Sequence, residues 1–281
     1  MKLITGVGVL VALLVAAAAA AAHDFWLVPN AFHVADGGEL TVKGQTSSRF
    51  PTSEVAVTPD RVAEARVIAA STDERVAIVA TEGTSLMLQH RPRGVGQRIV
   101  VVTVAPRSLR ASGPEFKRYM ELEGAAELAA RYERQGLLPR TDSITRRYAK
   151  YAKTIVDVGS GGPRAFSRIA GQVAEFVPLH DPATLRAGDT LSVRLLYRGL
   201  PLAEAHVHAG QSAADGATDD LSLVTDANGL LRVPLAAPGL WNVRTIHIVP
   251  SDRRSGADWD SHFVTMVFSV GAANAGGASH R

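Results

Sequence analysis

The side chains with the clearest potential for chemistry in this sequence are histidines, because the chain has nine of them and no cysteine. Without thiolates, a metal ion would have to be held by imidazole nitrogen and carboxylate oxygen. His206 and His208 are separated by one residue in a segment whose pattern predicts a β-strand. Alternate residues of a strand share one face, so both imidazoles point the same way and are candidates to share one ion.

The first 22 residues have the pattern of an export signal. Met1 and Lys2 form a short positive start, residues 3–15 are apolar, and small residues follow at Ala20 and Ala22. We expect cleavage after Ala22 and a mature protein in the bacterial periplasm. The alternative is an uncleaved membrane anchor, since the segment is nearly long enough to span a bilayer.

Cleavage after Ala22 would make His23 the amino terminus. Its α-amine and imidazole could then chelate one ion, and Cu(II) and Ni(II) favour such nitrogen donors. Cleavage two residues earlier would instead let amine, backbone amides and the His23 imidazole surround an ion in a square plane. His247, in an otherwise apolar strand predicted over residues 241–249, is the fourth candidate ligand. The alternative is that His247 is a partly buried side chain whose hydrogen bonds are satisfied within the protein and which binds no metal. We interpret His262, beside Trp259, in the same way.

Composition and motifs exclude several classes of function. The 281 residues carry a formal net charge of +3 at pH 7 and no concentrated basic run, which argues against a nucleic-acid partner. The 46% hydrophobic content indicates a globular chain. The sequence lacks a G-x-S-x-G elbow, a phosphate-binding loop, an H-E-x-x-H helix and a dinucleotide fingerprint. We therefore expect that the protein is not an enzyme.

The elements that would position these histidines are predicted from a repeated pattern. Residues 27–57 and 176–207 share an order of entry strand, turn, alternating strand and proline-marked turn. Chance similarity of short β-patterns is the alternative explanation. The repeat predicts a mainly β fold of two tandem antiparallel sandwiches, Ig-like or transthyretin-like, with a helical segment between them. The predicted boundaries are a signal peptide at 1–22, sandwiches at 23–110 and 166–271, a helical insertion at 111–165 and a flexible tail at 272–281.

The segment between the sandwiches has the composition of helices. Phe116, Tyr119 and Met120 recur at helical spacing. Ser143 is positioned to cap a further helix that would contain Tyr148, Tyr151 and Ile155.

Three segments carry a resemblance to a known family. Residues 23–27 (HDFWL), residues 147–153 (RYAKYAK) and the stretch from the turn at residues 225–229 (TDANG) to His247 are similar to a bacterial exported family. That family is labelled a domain of unknown function and is often called the periplasmic component of a cobalt or nickel transport system. The resemblance implies handling of a transition metal outside the inner membrane.

Together these observations predict a periplasmic accessory protein that binds Ni(II), Co(II) or Cu(II) and presents it to an inner-membrane transporter. His23, His206, His208 and His247 are the predicted ligands. The alternative from another class is an adhesive or scaffolding sandwich protein that binds a protein or glycan and no metal. A third possibility is copper oxidase chemistry at an amino-terminal histidine brace, which needs a second histidine near His23.

Overall fold

A computed structural model describes residues 23–123, 125–138, 143–212 and 221–273. The expected signal peptide at residues 1–22 and most of the expected tail at residues 272–281 lie outside the described residues. The strands are β1 (Asp24–Pro29), β2 (His33–Val34), β3 (Leu40–Ser47), β4 (Val62–Ile68), β5 (Asp73–Arg75), β6 (Ala77–Glu82), β7 (Ser85–His90), β8 (Gly96–Ala111), β9 (Ile144–Val158), β10 (Ala174–Pro178), β11 (Thr190–Tyr197), β12 (Leu200–Pro201), β13 (His206–Gln211), β14 (Leu221–Val224), β15 (Leu230–Pro234), β16 (Gly239–Pro250) and β17 (Trp259–Val270). The helices are α1 (Gly113–Leu122) and α2 (Ala126–Arg134).

The strands form one nine-stranded sheet and two four-stranded sheets. The large sheet has the order β14-β13-β16-β17-β9-β8-β4-β5, with β2 beside β9. One small sheet contains β1, β3, β7 and β6, and the other contains β10, β11, β12 and β15. The predicted mainly β fold with a helical segment is therefore confirmed. No helix in the described part of the chain is long and apolar enough to cross a membrane.

The predicted repeat corresponds to two similar pairs of strands. β1 pairs antiparallel with β3, and β10 pairs antiparallel with β11, as the entry strand and the alternating strand of each copy require. The copies differ after that point, because residues 51–57 form no strand whereas the corresponding part of the second copy leads into β13.

The two small sheets pack on opposite faces of the large sheet. In β9, Ala152 and Val156 belong to the core formed with β1, β3 and β7, whereas Ala149 and Tyr151 belong to the core formed with β10, β11 and β15. Even- and odd-numbered residues of one strand point to opposite faces. We call the side that carries Ala152 the first face and the side that carries Tyr151 the second face. The two sandwiches thus share one continuous sheet.

The prediction of a helix after Ser143 is wrong, and the helices occupy only the first half of the predicted insertion. The chain instead forms β9, which pairs antiparallel with β8 and parallel with β17. Tyr148 and Tyr151 are three residues apart, which imitates helical spacing. Because β9 is buried on both faces, its sequence lacks the alternation that marks a half-exposed strand.

One of the buried residues of β9 is a lysine whose ammonium group is hydrogen-bonded. The Lys153 ammonium donates to Glu175 Oε2 at 2.5 Å and to the Phe176 carbonyl at 2.8 Å. Glu175 also accepts from the backbone amides of Ala170 and Gly171 at 2.9 and 2.8 Å. These contacts join β9 to β10 and compensate for the removal of both charges from water.

The helical pair α1–α2 covers the other half of the first face. Ser112 begins α1 with a capping box, because its hydroxyl accepts from the Glu115 amide while the Glu115 carboxylate accepts from the Ser112 amide at 2.7 Å. Phe116 and Met120 are buried, as their spacing predicted. The Tyr132 hydroxyl of α2 donates to the carbonyl of Ile248 at 2.9 Å, which fixes α2 against β16.

The turn predicted at residues 225–229 is confirmed. Asp226 Oδ1 accepts from the amides of Asn228 at 2.8 Å and Leu230 at 2.9 Å. Gly229 has φ of +67°, and a Cβ there would lie 2.7 Å from the carbonyl oxygen of Leu195. Glycine at this position is therefore required by both the backbone conformation and the close approach of β11.

Candidate functional site

A cleft of about 420 Å³ lies on the first face, between α2, the start of β1, and strands β13 and β16. Its volume falls within the roughly 300–1,000 Å³ typical of small-molecule sites. Ile246 and Ile248 of β16 pack against the helices, and Arg244 shares their face by alternation. His208 of β13 is the register partner of Arg244. The cleft therefore combines residues from both predicted sandwiches and from the helical insertion.

His206 and His208 both line this cleft, as their spacing on one strand predicted. His206 Nε2 lies 3.0 Å from Glu127 Oε2 at the start of α2. The Glu127 side chain is 80% exposed, so this contact is at the mouth of the cleft. His208 lies further along the strand, in the electrostatic environment of Asp24. The structure thus places two nitrogen donors and one accessible carboxylate on neighbouring parts of the wall.

The base of the cleft is a buried group of charged side chains. Arg244 Nη1 lies 3.2 Å from Asp24 Oδ2, and Asp24 is only 7% exposed. The Lys150 ammonium, on the first face of β9, donates to the carbonyl of His23 at 2.5 Å. Glu123, at the end of α1, also lines the cleft. Charged side chains from β1, β9 and β16, and from the residue that follows α1, thus interact electrostatically at this end of the cleft.

Burial controls the ionisation of this group. Burial raises the pKa of Glu123 to about 8, and the charge of Asp24 acts in the same direction. Burial lowers the pKa of the Lys150 ammonium to about 8, against the attraction of Asp24 and Glu123. Burial also raises the pKa of Asp24, which Arg244 and Lys150 counteract. Shifted pKa values of this kind concentrate at functional sites, although structural networks produce them as well.

The imidazole of His247 is not brought together with those of His206 and His208. His247 borders the cleft, but as an odd-numbered residue of β16 it directs its ring to the second face. There its ring centroid lies 4.5 Å from that of Tyr197 and 6.3 Å from that of His262. Burial lowers the pKa of both His247 and His262 to about 4. This pair therefore belongs to the packed interior between the large sheet and the second small sheet.

His23 lies beside the cleft rather than on its wall. Its Nε2 is 3.4 Å from Glu54 Oε2, and its Nδ1 is buried with no hydrogen-bond partner among the described residues. Glu54 is held in turn by the Ser47 hydroxyl, which donates to it at 2.8 Å. The metal chelate predicted for a processed terminus at His23 would form beside Glu54, apart from the wall of the cleft. This chelate stays a prediction.

In the described ranges, no group of three or more His, Cys, Asp or Glu side chains is arranged to hold a metal ion. The cleft supplies two imidazoles and a nearby carboxylate without a closed coordination set. Chemically, such a wall can contribute part of a coordination shell, and its remaining ligands would come from elsewhere.

Sequence reasoning missed Asp24, Glu123, Lys150 and Arg244. A signal was present for Asp24, because it is a charged residue beside the apolar residues 25–29. Lys150 has no such signal, since residues 147–153 (RYAKYAK) contain two further basic residues. A charged residue within a buried strand requires a partner. Glu123 and Arg244 have no comparable local signal, since they join the group only through the tertiary fold.

Comparison with known proteins assigns the chain to a family defined by sequence. The family model of the domain of unknown function DUF4198 matches residues 20–249. The match spans most of the chain, so the protein belongs to the DUF4198 family. This confirms the predicted membership in a domain-of-unknown-function family. No curated protein matches the chain.

Among solved structures, the chain is similar to the D0-D1 domain of intimin, with 13% identity over 87% of this chain and 97% of that chain and a TM-score of 0.22. It is also similar to the full ectodomain of mouse nectin-like molecule 4, with 10% identity over 92% of this chain and 66% of that chain and a TM-score of 0.21. Likeness at these TM-scores carries no argument about function.

Proposed function

We propose that this DUF4198 protein binds a transition-metal ion, Ni(II), Co(II) or Cu(II), in the periplasm and holds it for an inner-membrane uptake system. The observation that carries the proposal is the position of His206 and His208, adjacent donors on one wall of the cleft. Imidazole suits these three ions better than it suits Mg²⁺ or Ca²⁺, which favour oxygen. The export signal predicted at residues 1–22 supports the location.

The ion would be cargo, taken up and released, rather than a permanent part of the protein. In the part of the chain that the structure describes, the side chain of His206 is paired with the exposed carboxylate of Glu127 at 3.0 Å. A contact of this kind at the open edge of the cleft contributes little stability, about 0–1 kcal/mol. The His206 imidazole can therefore turn from Glu127 to an ion at small cost, and Glu127 is close enough to add an oxygen ligand. A site that forms on binding suits delivery better than a closed structural site does.

Equilibrium dialysis of untagged protein that begins at His23 tests this proposal against NiCl₂, CoCl₂ and CuCl₂. We expect one ion per chain for at least one metal. The double change His206→Ala/His208→Ala should weaken that binding by about tenfold or more, since it removes both nitrogen donors of the wall. His180→Ala removes an exposed histidine that does not line the cleft and should leave the affinity within about twofold.

Other outcomes would contradict parts of the proposal. If none of the three metal salts binds stoichiometrically, the metal function is contradicted. The adhesive or scaffolding alternative is then favoured. Binding that survives His206→Ala/His208→Ala but is lost in His23→Ala would move the site to the terminal chelate. Retained binding in all of these variants would show that the ion uses none of His23, His206 and His208.

A further inference from the structure

The cleft is lined by charged groups of both signs. The carboxyl groups are those of Asp24, Glu123, Glu127 and Glu204, and the guanidinium groups are those of Arg131, Arg134 and Arg244. A ligand with charges of one sign only would meet like charges on this wall, and the juxtaposition of like charges is costly. A ligand that carries one charge of each sign can pair with both kinds of group.

Several of these groups are already compensated within the protein. Arg244 Nη1 lies 3.2 Å from Asp24 Oδ2, and His206 Nε2 lies 3.0 Å from Glu127 Oε2. Burial raises the pKa of Glu123 to about 8, so this carboxyl group is mostly uncharged at pH 7. These groups therefore need no ligand to balance their charges.

Three exposed charges of the wall have no partner of this kind. Arg131 and Arg134 are three residues apart and share one face of α2, whereas Glu204 lies in the turn between β12 and β13. None of the three forms a salt bridge within the described part of the chain. The cleft thus offers two guanidinium groups to an anionic group and one carboxylate to a cationic group.

Glu204 is held at the cleft in an unfavourable backbone conformation. Its φ is +53°, a region that glycine occupies freely and that residues with a long side chain rarely adopt. Its amide donates to the Thr225 carbonyl at 3.1 Å, and the Thr225 hydroxyl donates to the Leu202 carbonyl at 2.7 Å, which fixes the turn. Strain of this kind concentrates at functional sites. A glutamate in place of a glycine here adds an exposed negative charge to the cleft.

The rest of the wall is largely apolar. Leu128 of α2 and Ile246 of β16 line one part of the cleft, and Leu202 and Val224 line another. Val224 is 53% exposed, so this surface is accessible to a ligand. Burial of apolar area in a concave site favours binding. A ligand that fits the cleft therefore has an aliphatic body as well as two charged ends.

We infer that the cleft binds a short zwitterionic peptide with aliphatic side chains. Its terminal carboxylate accepts hydrogen bonds from Arg131 and Arg134, since planar guanidinium groups match carboxylates. Its terminal ammonium group pairs with Glu204, and its side chains contact Leu202 and Val224. The cleft volume of about 420 Å³ lies within the range of sites for small organic molecules. This inference goes beyond the proposed function, because the binding of the peptide needs no metal ion.

Isothermal titration calorimetry of protein that begins at His23, in buffer freed of metal ions, tests the inference. The probe is the dipeptide Leu-Leu. It is compared with N-acetyl-Leu-Leu, which has no ammonium group, and with Leu-Leu amide, which has no carboxylate. We expect one Leu-Leu per chain and about tenfold weaker binding of each modified dipeptide, since each loses a charge-assisted contact. Gly-Gly keeps both charges but lacks the aliphatic side chains, so it should also bind about tenfold more weakly or worse.

Variants of the wall test each end of the peptide separately. Arg131→Gln/Arg134→Gln should weaken binding of Leu-Leu by about tenfold and change that of Leu-Leu amide by no more than about twofold, since the amide has no carboxylate to lose. Glu204→Gln should likewise weaken binding of Leu-Leu by about tenfold and leave that of N-acetyl-Leu-Leu within about twofold.

Matched control variants remove the same charges away from the cleft. Arg107→Gln/Arg110→Gln changes two exposed arginines of β8, also three residues apart, and Glu82→Gln changes an exposed glutamate of β6. These residues do not line the cleft. Both controls should leave the affinity for Leu-Leu within about twofold of that of the wild type.

Absence of Leu-Leu binding would overturn the inference. An affinity for either modified dipeptide equal to that for Leu-Leu would overturn recognition of that charged end, and with it the zwitterionic ligand. This comparison uses the wild-type protein, so it does not depend on the folding of a variant. Binding of Leu-Leu unchanged by Arg131→Gln/Arg134→Gln and by Glu204→Gln would also overturn the inference. Nickel binding is measured without peptide, so the failure of either proposal leaves the other intact.

Discussion

The histidines of this protein fall into two groups with different physical surroundings. His206 and His208 face a cleft that is open to solvent, whereas His247 and His262 are packed between two sheets. The hydroxyl of Tyr151 lies 3.3 Å from His262 Nδ1. An imidazole must be accessible and deprotonated to bind an exchangeable ion. The first group lines an open cleft and is accessible in this sense, and the second group contributes to the packed interior.

The buried pair predicts a specific loss of stability in acid. Burial lowers the pKa of His262 from 6.5 to about 4, with Arg198 and Arg147 acting in the same direction and Asp260 opposing them. The unfolded chain therefore binds a proton at higher pH than the folded chain does. Stability is present above pH 6.5 and falls as the pH drops from 6.5 towards 4, by up to about 3 kcal/mol for this one residue.

Urea unfolding at pH 7, 5.5 and 4.5 measures this effect. His262→Gln keeps a polar group that cannot be protonated, so its unfolding free energy should fall less steeply with acidification than that of the wild type. His180→Ala should retain the slope of the wild type, since His180 is exposed in a turn. Equal slopes for wild type and His262→Gln would show that the buried imidazole does not titrate differently in the folded state.

At the scale of elements, β1 has to lie flat against β3 to bring Asp24 to the base of the cleft. Gly44 of β3 permits this, because the ring of Phe25 packs directly over it and a Cβ would lie 2.7 Å from Phe25 Cζ and 3.2 Å from Leu86 Cβ. Phe25 is 1% exposed, so its ring has no space into which it could move.

Gly44→Ala should therefore destabilise the protein by about 1–3 kcal/mol, the usual cost of overpacking a core. Thermal unfolding followed by circular dichroism measures the effect. Gly83→Ala serves as a comparison with open space around the Cβ, although its φ of +55° adds some strain. A Gly44→Ala protein as stable as the wild type would mean that the contact between β1 and β3 is looser than described here.

Much of this arrangement follows from local sequence patterns, and the rest depends on long-range contacts. The strand repeat, α1 and the turn at Asp226 each have a local cause, in alternation, helical spacing or backbone hydrogen bonds. The strand β9 has none, because a strand buried on both faces lacks alternation and its paired Lys153 resembles a residue on a helix surface. The shared face of His206 and His208 could be predicted from alternation within one strand. The separation of His247 from them depends on the register of β16 against β13, which is a long-range contact.

At the scale of the whole molecule, the cleft exists only in the complete chain. Asp24 comes from the first sandwich, Glu127 from the helical pair, and His208 from the second sandwich. All three are held in place by one sheet that runs through both cores. Neither half of the chain, if produced alone, contains the site. This explains why motifs within one segment do not reveal it.

The central claim, that the cleft holds a metal through His206 and His208, is tested most directly by X-ray diffraction from protein bound to Ni(II), with data collected at the nickel absorption edge. We predict one anomalous peak per chain in the cleft, about 2.1 Å from an imidazole nitrogen of each of these two residues, the usual metal–nitrogen distance. A peak at His23 and Glu54, or at His247, with the cleft empty would contradict it.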